Sequence, residues 1–349
     1  MSKVQNFTGN RGEWSEPYAL LCLLGNPRFQ FCNGSLIPAS QNRFQIKSIE
    51  MPANTFGGII NFSFSGSDVV ANFGQRTSIV PQSNIQAMAS QLFTNITNSI
   101  LTTFSFHHLD NLWSLLLNPE IKSINSIKYD IRIELFDTLN NTTKKYGFSI
   151  KSNLGSATSL LNASQMTNFT YLLKSKISLV SSTPKKLGKA VKSLPMSFSG
   201  SDSAAFKSNL NQIDPDLEKI IMYSLLEYYG NSRVKYVIDV LNLVKTSNPL
   251  NYLNLSKYED IFSHFLEAIA FGMVPNSLWN QIYTADGGML VVTQAGDIVF
   301  FFLPDQKSNV ACKNFLIKNS YFDTASTSRH GFGYVINGNL FKLNLLIRL

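Results

Sequence analysis

Two residues of the segment 129–152, Asp130 and Lys151, have the types and spacing that hydrolysis of a phosphodiester requires. Apolar and polar residues alternate along 127–136 and along 145–152, which predicts the two strands of a β-hairpin. A two-residue turn between the strands would place Asp130 directly opposite Lys151. In such hydrolysis a divalent cation offsets developing charge, a carboxylate binds the cation, and a lysine positions or helps to deprotonate the attacking water.

The hairpin pattern also assigns side chains to faces. We predict the turn at the two asparagines 140–141, because asparagine accepts positive φ. Alternation then puts Asp130, Glu134, Ser149 and Lys151 on one face, while the apolar residues between them form the core face. The alternative interpretation of the aspartate and the lysine is an ordinary cross-strand ion pair.

A second negative charge is missing from this hairpin. Two carboxylates beside a divalent cation are the usual minimum, yet Ser149 stands two residues before the lysine, where an acid would be expected. Glu134 lies four residues along the strand from Asp130, roughly 13 Å away, which is too far for both to hold one ion. The missing charge must therefore come from another element.

The N-terminal segment offers that charge. Its apolar residues predict a helix over 11–25, and the helix carries Glu13 and Glu16 one turn apart on one face. We expect one of the two to lie beside the lysine, with Glu13 favoured because Gly12 lets the backbone approach closely. Pro17 lacks a backbone donor and is expected to kink the helix unless it lies in the first turn.

Magnesium is the cation that oxygen ligands of this kind favour. The chain has four histidines, none of them at H-x-x-x-H spacing, which argues against a histidine-built zinc site. Its three cysteines, Cys22, Cys32 and Cys312, are too scattered for a zinc site or a disulfide framework. We interpret them as reduced core residues of a cytoplasmic protein.

The charge and hydropathy of this 349-residue chain limit the classes of partner that it can have. Its net charge of +8 suits a polyanion, and residues 151–200 contain seven lysines but no acidic residue. No apolar stretch follows the basic N-terminus, so we expect no signal peptide. No run reaches the ~18 apolar residues of a membrane span, so we expect no membrane association.

The remaining segments predict an α/β protein. The predicted elements are strand-like runs in 27–80, helix in 84–117, helix or helix-loop-helix in 158–177, loop or short strand in 181–204, amphipathic helices at 215–246 and 257–272, and two hairpins at 289–303 and 331–349. No clear linker interrupts the chain. We place a domain boundary near 180, so that residues 1–180 contain the N-terminal helix and the hairpin, and residues 181–349 are helical and β-rich. One compact domain is the alternative.

Three blocks of sequence carry a resemblance to a known family. They read "GNRGEWSE", "YDI…YGFSIKSNLGSATSLLNAS…TNFTY" and "STSRHGFG…FKLNLLIR". In this order, and over 9–349, they resemble the HpaII-like family of type II restriction endonucleases. The resemblance implies a PD-(D/E)xK nuclease-like core, in which helices flank a mixed β-sheet. It also implies Mg²⁺-dependent cleavage of double-stranded DNA, with CCGG as the leading expectation for the target.

The resemblance also implies roles for the hairpin residues. Asp130 would be the metal-binding aspartate and Lys151 the catalytic lysine, with Ser149 at the second acidic position. Glu13 or Glu16 would supply the compensating acid. The backbone carbonyl of Ile150, the middle residue of the motif, would be a further metal ligand.

Contacts with DNA are expected from two other segments and from Arg11. Arginine is the usual reader of guanine, and "STSRHGFG" offers Arg329 and His330 in a loop of small residues. Contact with a phosphate or a buried acid is the alternative for both arginines. Small hydroxyl and amide side chains after the lysine strand suit phosphate contacts, and we expect them at Ser152, Asn153 and Asn162.

Three alternatives stay open at this point. The chain could be a repair or nicking enzyme of the same fold, or a non-catalytic DNA-binding protein, since Ser149 has replaced an acid. A hydrolase built on Ser326 or Ser328 with His330 is disfavoured, because no G-x-S-x-G elbow precedes a helix there. A palindromic target favours a homodimer, although some enzymes with small sites act as monomers.

Overall fold

The computed structural model describes residues 8–39, 43–53, 58–117, 128–155, 157–177, 183–231 and 233–349. Its contacts divide the chain into two compact units, Met1–Thr158 with Tyr283–Cys312, and Ser159–Ile282 with Lys313–Leu349. Compact units need not be separately folding domains, so the division into 1–180 and 181–349 stays a prediction. Among the described residues, no helix has the length and apolar character that crossing a bilayer would require.

The helices have the following bounds in chain order: α1 (Arg11–Gly25), α2 (Gln82–Asn98), α3 (Asp110–Leu115), α4 (Pro184–Val191), α5 (Ala204–Ile213), α6 (Leu217–Gly230), α7 (Val237–Ser247), α8 (Lys257–Phe271), α9 (Gln306–Asn319) and α10 (Thr327–His330). Single 3₁₀ turns occur at His107–Leu109 and Gln165–Thr167.

The strands have the following bounds: β1 (Thr8–Gly9), β2 (Phe31–Cys32), β3 (Pro38–Ala39), β4 (Phe44–Ala53), β5 (Gly58–Ser65), β6 (Asp68–Phe73), β7 (Arg76–Pro81), β8 (Phe104–Ser105), β9 (Ile131–Asp137), β10 (Thr142–Ser152), β11 (Ser159–Leu161), β12 (Asn168–Leu173), β13 (Met196–Ser201), β14 (Gly288–Val292), β15 (Ile298–Phe302), β16 (Tyr321–Phe322), β17 (Val335–Ile336), β18 (Leu340–Asn344) and β19 (Ile347–Arg348).

The first unit is built around a large mixed sheet. In the described residues its strand order is β3-β2-β15-β14-β10-β9-β4-β5-β6-β7. Strand β10 lies inside this sheet, antiparallel to β9 on one side and parallel to β14 on the other. Helices α1 and α2 pack on each other beside the sheet. The prediction of an α/β fold with helices flanking a mixed sheet is confirmed.

Aromatic residues fill the core behind β10. Phe148 of β10 is fully buried, and the ring of Phe29 contacts it with 5.9 Å between centroids. Phe29 also stacks on Phe300 of β15 at 4.3 Å. This is the apolar face that the hairpin pattern predicted, and its burial holds the opposite face of β10 in a fixed orientation.

The register of the hairpin differs from the predicted one. Asp137 pairs with Thr142, so the turn contains four residues rather than two. Arg132 lies opposite Gly147, whereas the two-residue turn that would place Asp130 opposite Lys151 would place Arg132 opposite Ser149. Asp137 stabilises this wider turn: its carboxylate accepts hydrogen bonds from Leu139 N at 3.0 Å and from the side chain of Asn140 at 2.8 Å. The shift is two residues, so the predicted faces are kept while the predicted partner of Asp130 is wrong.

The second unit contains two smaller sheets and most of the helices. The sheet orders are β13-β12-β18-β17 and β11-β19-β16, and α6 packs against α4, α5, α7 and α8. Tyr171 of β12 is fully buried; it stacks on Phe341 of β18 at 4.8 Å and donates to the carbonyl of Met222 at 2.8 Å. This contact joins the sheet to α6.

Several secondary-structure predictions are confirmed, and others are wrong. The helix at 11–25, the strands in 27–80, the helix at 257–272 and both C-terminal hairpins are present. The region 215–246 forms two helices, and 84–117 contains α2, β8 and α3. The helix predicted within 158–177 is wrong, because Phe169, Tyr171 and Leu173 alternate inward as strand β12. Helix α4 was not predicted, although Thr183 caps it and Pro184 opens it.

Candidate active site

The first turn of α1 is closed by a reciprocal capping box. The side chain of Asn10 accepts from Glu13 N at 3.0 Å, and the Glu13 carboxylate accepts from Asn10 N at 2.9 Å. The helix continues through Pro17, which is buried inside it rather than in its first turn. The carboxylate of Glu13 is therefore engaged in starting its own helix, which weighs against the preference for Glu13 over Glu16.

Helix α1 is joined to the end of β10 by a buried pair of hydroxyl groups. Ser152 Oγ lies 2.7 Å from Ser15 Oγ and also accepts from Leu154 N at 3.0 Å. Ser15 Oγ in turn donates to the carbonyl of Arg11 at 2.7 Å. Both serines are buried. The contact fixes the helix against the strand one residue after Lys151.

Gly155 allows the chain after β10 to pass close to the N-terminal turn of α1. A Cβ atom on Gly155 would lie 2.9 Å from Gly12 N and 3.0 Å from the Cβ of Arg11. Ordinary Cβ atoms do not come so near to backbone atoms, so a side chain here would push the helix away from the strand.

We expect Gly155→Ala to lower the free energy of unfolding by about 1–3 kcal/mol, since overpacked sites typically cost that much. Urea unfolding followed by circular dichroism measures the change. Gly34→Ala is a matched control, because its new methyl group would meet a carbonyl oxygen at an ordinary 3.7 Å. Equal stability of the two variants would contradict the close approach of helix and strand.

Asp130 precedes β9 and directs its carboxylate at the backbone of β10. Its Oδ2 accepts from Ile150 N at 2.6 Å, and its own N–H donates to the carbonyl of Phe148 at 2.9 Å. Because Ile150 directly precedes Lys151, the bond holds the aspartate at the end of β10 that carries the lysine. The structure thus places Asp130 at the end of β10 where the sequence predicted the site. The hydrogen bond from Ile150 N that holds it there could not be predicted from the alternation of side chains.

Glu16 belongs to the same charge cluster. It is partly buried on α1, and burial together with the neighbouring Asp130 carboxylate raises its pKa to about 9. Lys151 lowers this pKa, and Glu13 raises it further. Burial disfavours the charged form of a carboxyl, and a second carboxylate nearby does the same. Glu16 thus lies within electrostatic range of both Asp130 and Lys151.

Lys128 is a further member of this cluster that sequence reasoning missed. Burial and the ammonium group of Lys151 lower its pKa to about 8, while Asp130 acts in the opposite direction. Its backbone N–H donates to Thr284 Oγ1 at 3.0 Å. The signal was present in the sequence, because Lys128 stands two residues before Asp130, on the same face of an extended segment.

The carboxylates of this cluster fit a hard divalent cation. Asp130 and Glu16 repel each other enough to contribute to the raised pKa, and a cation between them would remove that repulsion. Among the residues that the structure describes, no three histidine, cysteine or acidic side chains could hold a metal by themselves. Magnesium is commonly bound by one or two carboxylates, with water and substrate phosphate completing its shell. Asp130 and Glu16 would be the two carboxylates.

The other residues predicted near the metal have defined surroundings. Ser149 is 2% exposed and pairs with Met289 of β14, so it lies within the sheet. Ile150 gives its N–H to Asp130, and the predicted role of its carbonyl as a metal ligand stays a prediction. The side chain of Arg11 donates to the carbonyl of Ser99 at 2.5 Å.

The remaining acids of the hairpin have structural partners. Glu134 accepts from Ser48 Oγ at 3.0 Å. Asp137 receives two hydrogen bonds from the Arg43 guanidinium, at 2.9 and 2.6 Å, and these bonds lower its pKa. Both carboxylates are thus engaged in contacts other than the cluster of Asp130 and Glu16.

The residues predicted to contact DNA lie in both units. In the first unit Asn153 is exposed after β10, whereas Ser152 is buried with its hydroxyl bonded to Ser15. In the second unit Asn162 and Arg329 are exposed, and the carbonyl of His330 accepts from Asn168 at 2.8 Å. Their contacts with DNA stay predictions.

Two lysines of the acid-free run 151–200 are engaged in contacts within the second unit. The ammonium group of Lys185 lies 3.4 Å from the centroid of the Tyr228 ring and donates to the Tyr228 carbonyl. Lys192 forms an ion pair with Glu227 at 2.5 Å. Two of the seven lysines therefore stabilise the second unit.

Comparison with known proteins identifies the family of the chain. The model of the family described as HpaII restriction endonuclease matches residues 10–349. The type II restriction enzyme HpaII of Haemophilus parainfluenzae is 34% identical over 357 residues, which cover 98% of each chain. No solved structure matches the chain. The chain therefore belongs to the HpaII family of type II restriction endonucleases, which are site-specific deoxyribonucleases.

Proposed function

We propose that this chain cuts both strands of DNA at CCGG, with Mg²⁺ held by Asp130 and Glu16. The observation that carries the proposal is the charge cluster of the first unit, where Glu16 of α1 interacts with Asp130 and Lys151 at the end of β10. Membership of a family of site-specific deoxyribonucleases supports the reaction type. The target CCGG follows from the resemblance to that family.

Each residue of the cluster has a role that its position supports. Lys151 holds the attacking water or the scissile phosphate, because its ammonium group belongs to the charge cluster of the two carboxylates. Asp130 is oriented by the Ile150 N–H, and its carboxylate is a suitable ligand for a hard cation. Glu16 supplies the charge that Ser149 lacks. When bound, Mg²⁺ offsets the negative charge that develops on the phosphate.

We infer that this arrangement is a variant of the PD-(D/E)xK core in which the second acid is supplied by a helix. In the usual arrangement the acid stands two residues before the lysine on the same strand. Here that position is Ser149, which is buried within the sheet and carries no charge. The hydroxyl bridge between Ser15 and Ser152 holds α1 where its glutamate can replace the missing carboxylate. Glu13, in this proposal, serves chiefly to start the helix.

The partner and the assembly follow from the same proposal. The substrate is double-stranded DNA, which implies action in the cytoplasm. A homodimer would match the two-fold symmetry of a palindromic site. A monomer that cuts the two strands in turn is the alternative, and sedimentation of the protein with and without a target duplex distinguishes the two.

Digestion of a plasmid of known sequence tests the proposed function. The protein is incubated with Mg²⁺ or with a chelator, and the ends are mapped by sequencing. We expect double-strand ends at CCGG with Mg²⁺ and intact plasmid with the chelator. Ends at other sequences would overturn the target, single-strand nicks would favour a nicking or repair enzyme, and intact plasmid with Mg²⁺ would favour a non-catalytic DNA-binding protein.

A further inference from the structure

The second unit contains a polar cavity of about 500 Å³. Residues that line it include Gln165, Asn168, Asp202, His330 and Lys342. All these side chains can donate or accept hydrogen bonds. Met166 adds one apolar side chain, and the Asn168 amide already bonds the His330 carbonyl and Asn344, so a polar ligand would meet chiefly Gln165, Asp202 and Lys342.

An oriented ion pair forms one side of the cavity wall. Lys342 of β18 lies 2.7 Å from Asp202 Oδ2, and the hydroxyl of Thr170 donates to Asp202 Oδ1 at 2.5 Å. Thr170 is on β12, directly opposite Lys342, so the three groups share one face of the sheet. The backbone N–H of Asp202 donates to the carbonyl of Asn168 at 3.0 Å. Both partners of the pair are therefore held before any ligand arrives.

The pair keeps hydrogen-bonding capacity on its open side. The side chains of Lys342 and Asp202 are 29% and 26% exposed. An ammonium group has three donors, of which Asp202 uses one; a carboxylate has about four acceptor positions, of which Thr170 and Lys342 use two. The pair can thus donate and accept at neighbouring points of one surface.

This pattern is complementary to one edge of a G·C base pair. In the major groove guanine presents two acceptors, N7 and O6, and cytosine presents the N4 donor beside them. Lysine pairs with the guanine acceptors, and a carboxylate accepts from the cytosine amino group. We propose that Lys342 and Asp202 together read one G·C pair of the DNA target, an inference that rests on the proposed function and names the residues that give it specificity.

The surroundings of the cavity suit contact with DNA. Helix α10 bears the exposed Arg329 next to His330, whose carbonyl is tied to Asn168. Gln165, which also lines the cavity, is exposed in the 3₁₀ turn that precedes β12. Arg329 and Gln165 are available for adjacent bases or phosphates, while the ion pair reads the G·C pair.

Single-turnover cleavage of a panel of duplexes tests the proposal. The panel consists of a CCGG duplex and duplexes with one base pair replaced at each position in turn. The wild-type protein is expected to discriminate against each replacement by about 10-fold or more. The two-fold symmetry of CCGG relates its two outer base pairs to each other and its two inner base pairs to each other. Lys342→Gln and Asp202→Asn are expected to reduce the discrimination to about 2-fold at one of these two sets, outer or inner, and to leave it unchanged at the other set.

Control variants separate reading from a merely structural role. Lys192→Gln removes another ion pair of the same unit, Lys192 with Glu227, and should leave every ratio unchanged. The double change of Asp202→Lys with Lys342→Asp keeps an ion pair but exchanges the positions of its two charges. It should recover thermal stability without recovering discrimination at the affected position. Lys342→Arg should retain discrimination, because arginine also pairs with guanine.

Each outcome decides the matter. If the variants discriminate like the wild type, or lose rate equally on every duplex, the reading role is overturned while the proposed function stands. If the charge-swapped protein regains full discrimination, the pair is structural and the reading role is again overturned. If the wild-type protein distinguishes no G·C position, both the CCGG target and the reading role fail. Should Asp202→Asn not fold, Lys342→Gln and Lys342→Arg still give the answer.

Discussion

Replacement of Lys151 or Asp130 by alanine is expected to lower the rate of DNA cleavage by roughly 10³-fold or more, while specific binding is retained. Metal-ion stabilisation of the developing charge is worth several kcal/mol, and about 1.4 kcal/mol corresponds to a tenfold change in rate. Asp130 would hold the cation and Lys151 the water or phosphate, so either change removes a transition-state contact. Single-turnover cleavage and binding of a labelled duplex measure the two effects separately.

A matched control on the same hairpin shows whether the loss is local. Lys145 lies on β10 as well, but its ammonium group is bonded to Glu50 at 2.5 Å. Lys145→Ala should therefore change stability slightly and leave the cleavage rate nearly unchanged. A Lys151→Ala protein that cuts at the wild-type rate would show that the assignment of the site is wrong.

Glu16→Gln is expected to abolish cleavage and, at the same time, to stabilise the metal-free protein at alkaline pH. The folded state holds a proton on Glu16 that the unfolded chain releases, because burial and Asp130 raise the folded pKa from 4.5 to about 9. The stability of the wild-type protein in chelator should therefore fall as pH rises through this interval. Glutamine does not titrate, so the stability of the variant should not fall in this way as pH rises.

The expected gain of the Gln variant at pH 9 is on the order of 2 kcal/mol. At about 1.4 kcal/mol per pKa unit, the shift of the Glu16 pKa from 4.5 to about 9 would correspond to a larger gain. The carboxyl is partly exposed, however, and contact with water reduces the effect. Urea unfolding at pH 5, 7 and 9 measures the trend. Mg²⁺ should stabilise the wild-type protein more than the variant, since a ligand stabilises the state that binds it.

Glu13→Gln provides the comparison on the same helix. Its side-chain oxygen closes the capping box with Asn10, and a glutamine oxygen can still accept that hydrogen bond, so the variant loses only a negative charge at the helix N-terminus, worth about 0.3–1 kcal/mol. We expect this variant to be slightly less stable than the wild type at neutral pH and to remain active. An inactive Glu13→Gln protein together with an active Glu16→Gln protein would reverse the assignment of the two glutamates.

The sequence allowed the faces of the hairpin to be predicted but not its register. Alternation of side chains has a period of two, so it fixes which residues share a face whatever the turn length. The turn length depends on Asp137, whose carboxylate is bound by Arg43 from a distant segment of the chain. That partner could not be found from local sequence, and the register predicted from a two-residue turn was therefore wrong.

The sequence itself contains a feature that distinguishes Glu13 from Glu16. Asn10 followed three residues later by a glutamate is the pattern of a capping box, which engages the first of the two acids. Glu16 was then the acid left available. Lys128 had a similar signal in its spacing from Asp130. By contrast, nothing local indicated that β14 would lie beside β10, because parallel neighbours are chosen by tertiary packing.

The parallel pairing of β10 with β14 also decides when the enzyme can first become active. Ser149 lies next to Met289, about 140 residues later in the chain. During synthesis on the ribosome, the hairpin that carries Asp130 and Lys151 emerges long before the strand that completes its sheet. Contacts between such distant residues form late and slowly. The nascent nuclease therefore stays incomplete until most of its length has been translated, and fragments that end before residue 288 lack the neighbour that supports the lysine strand.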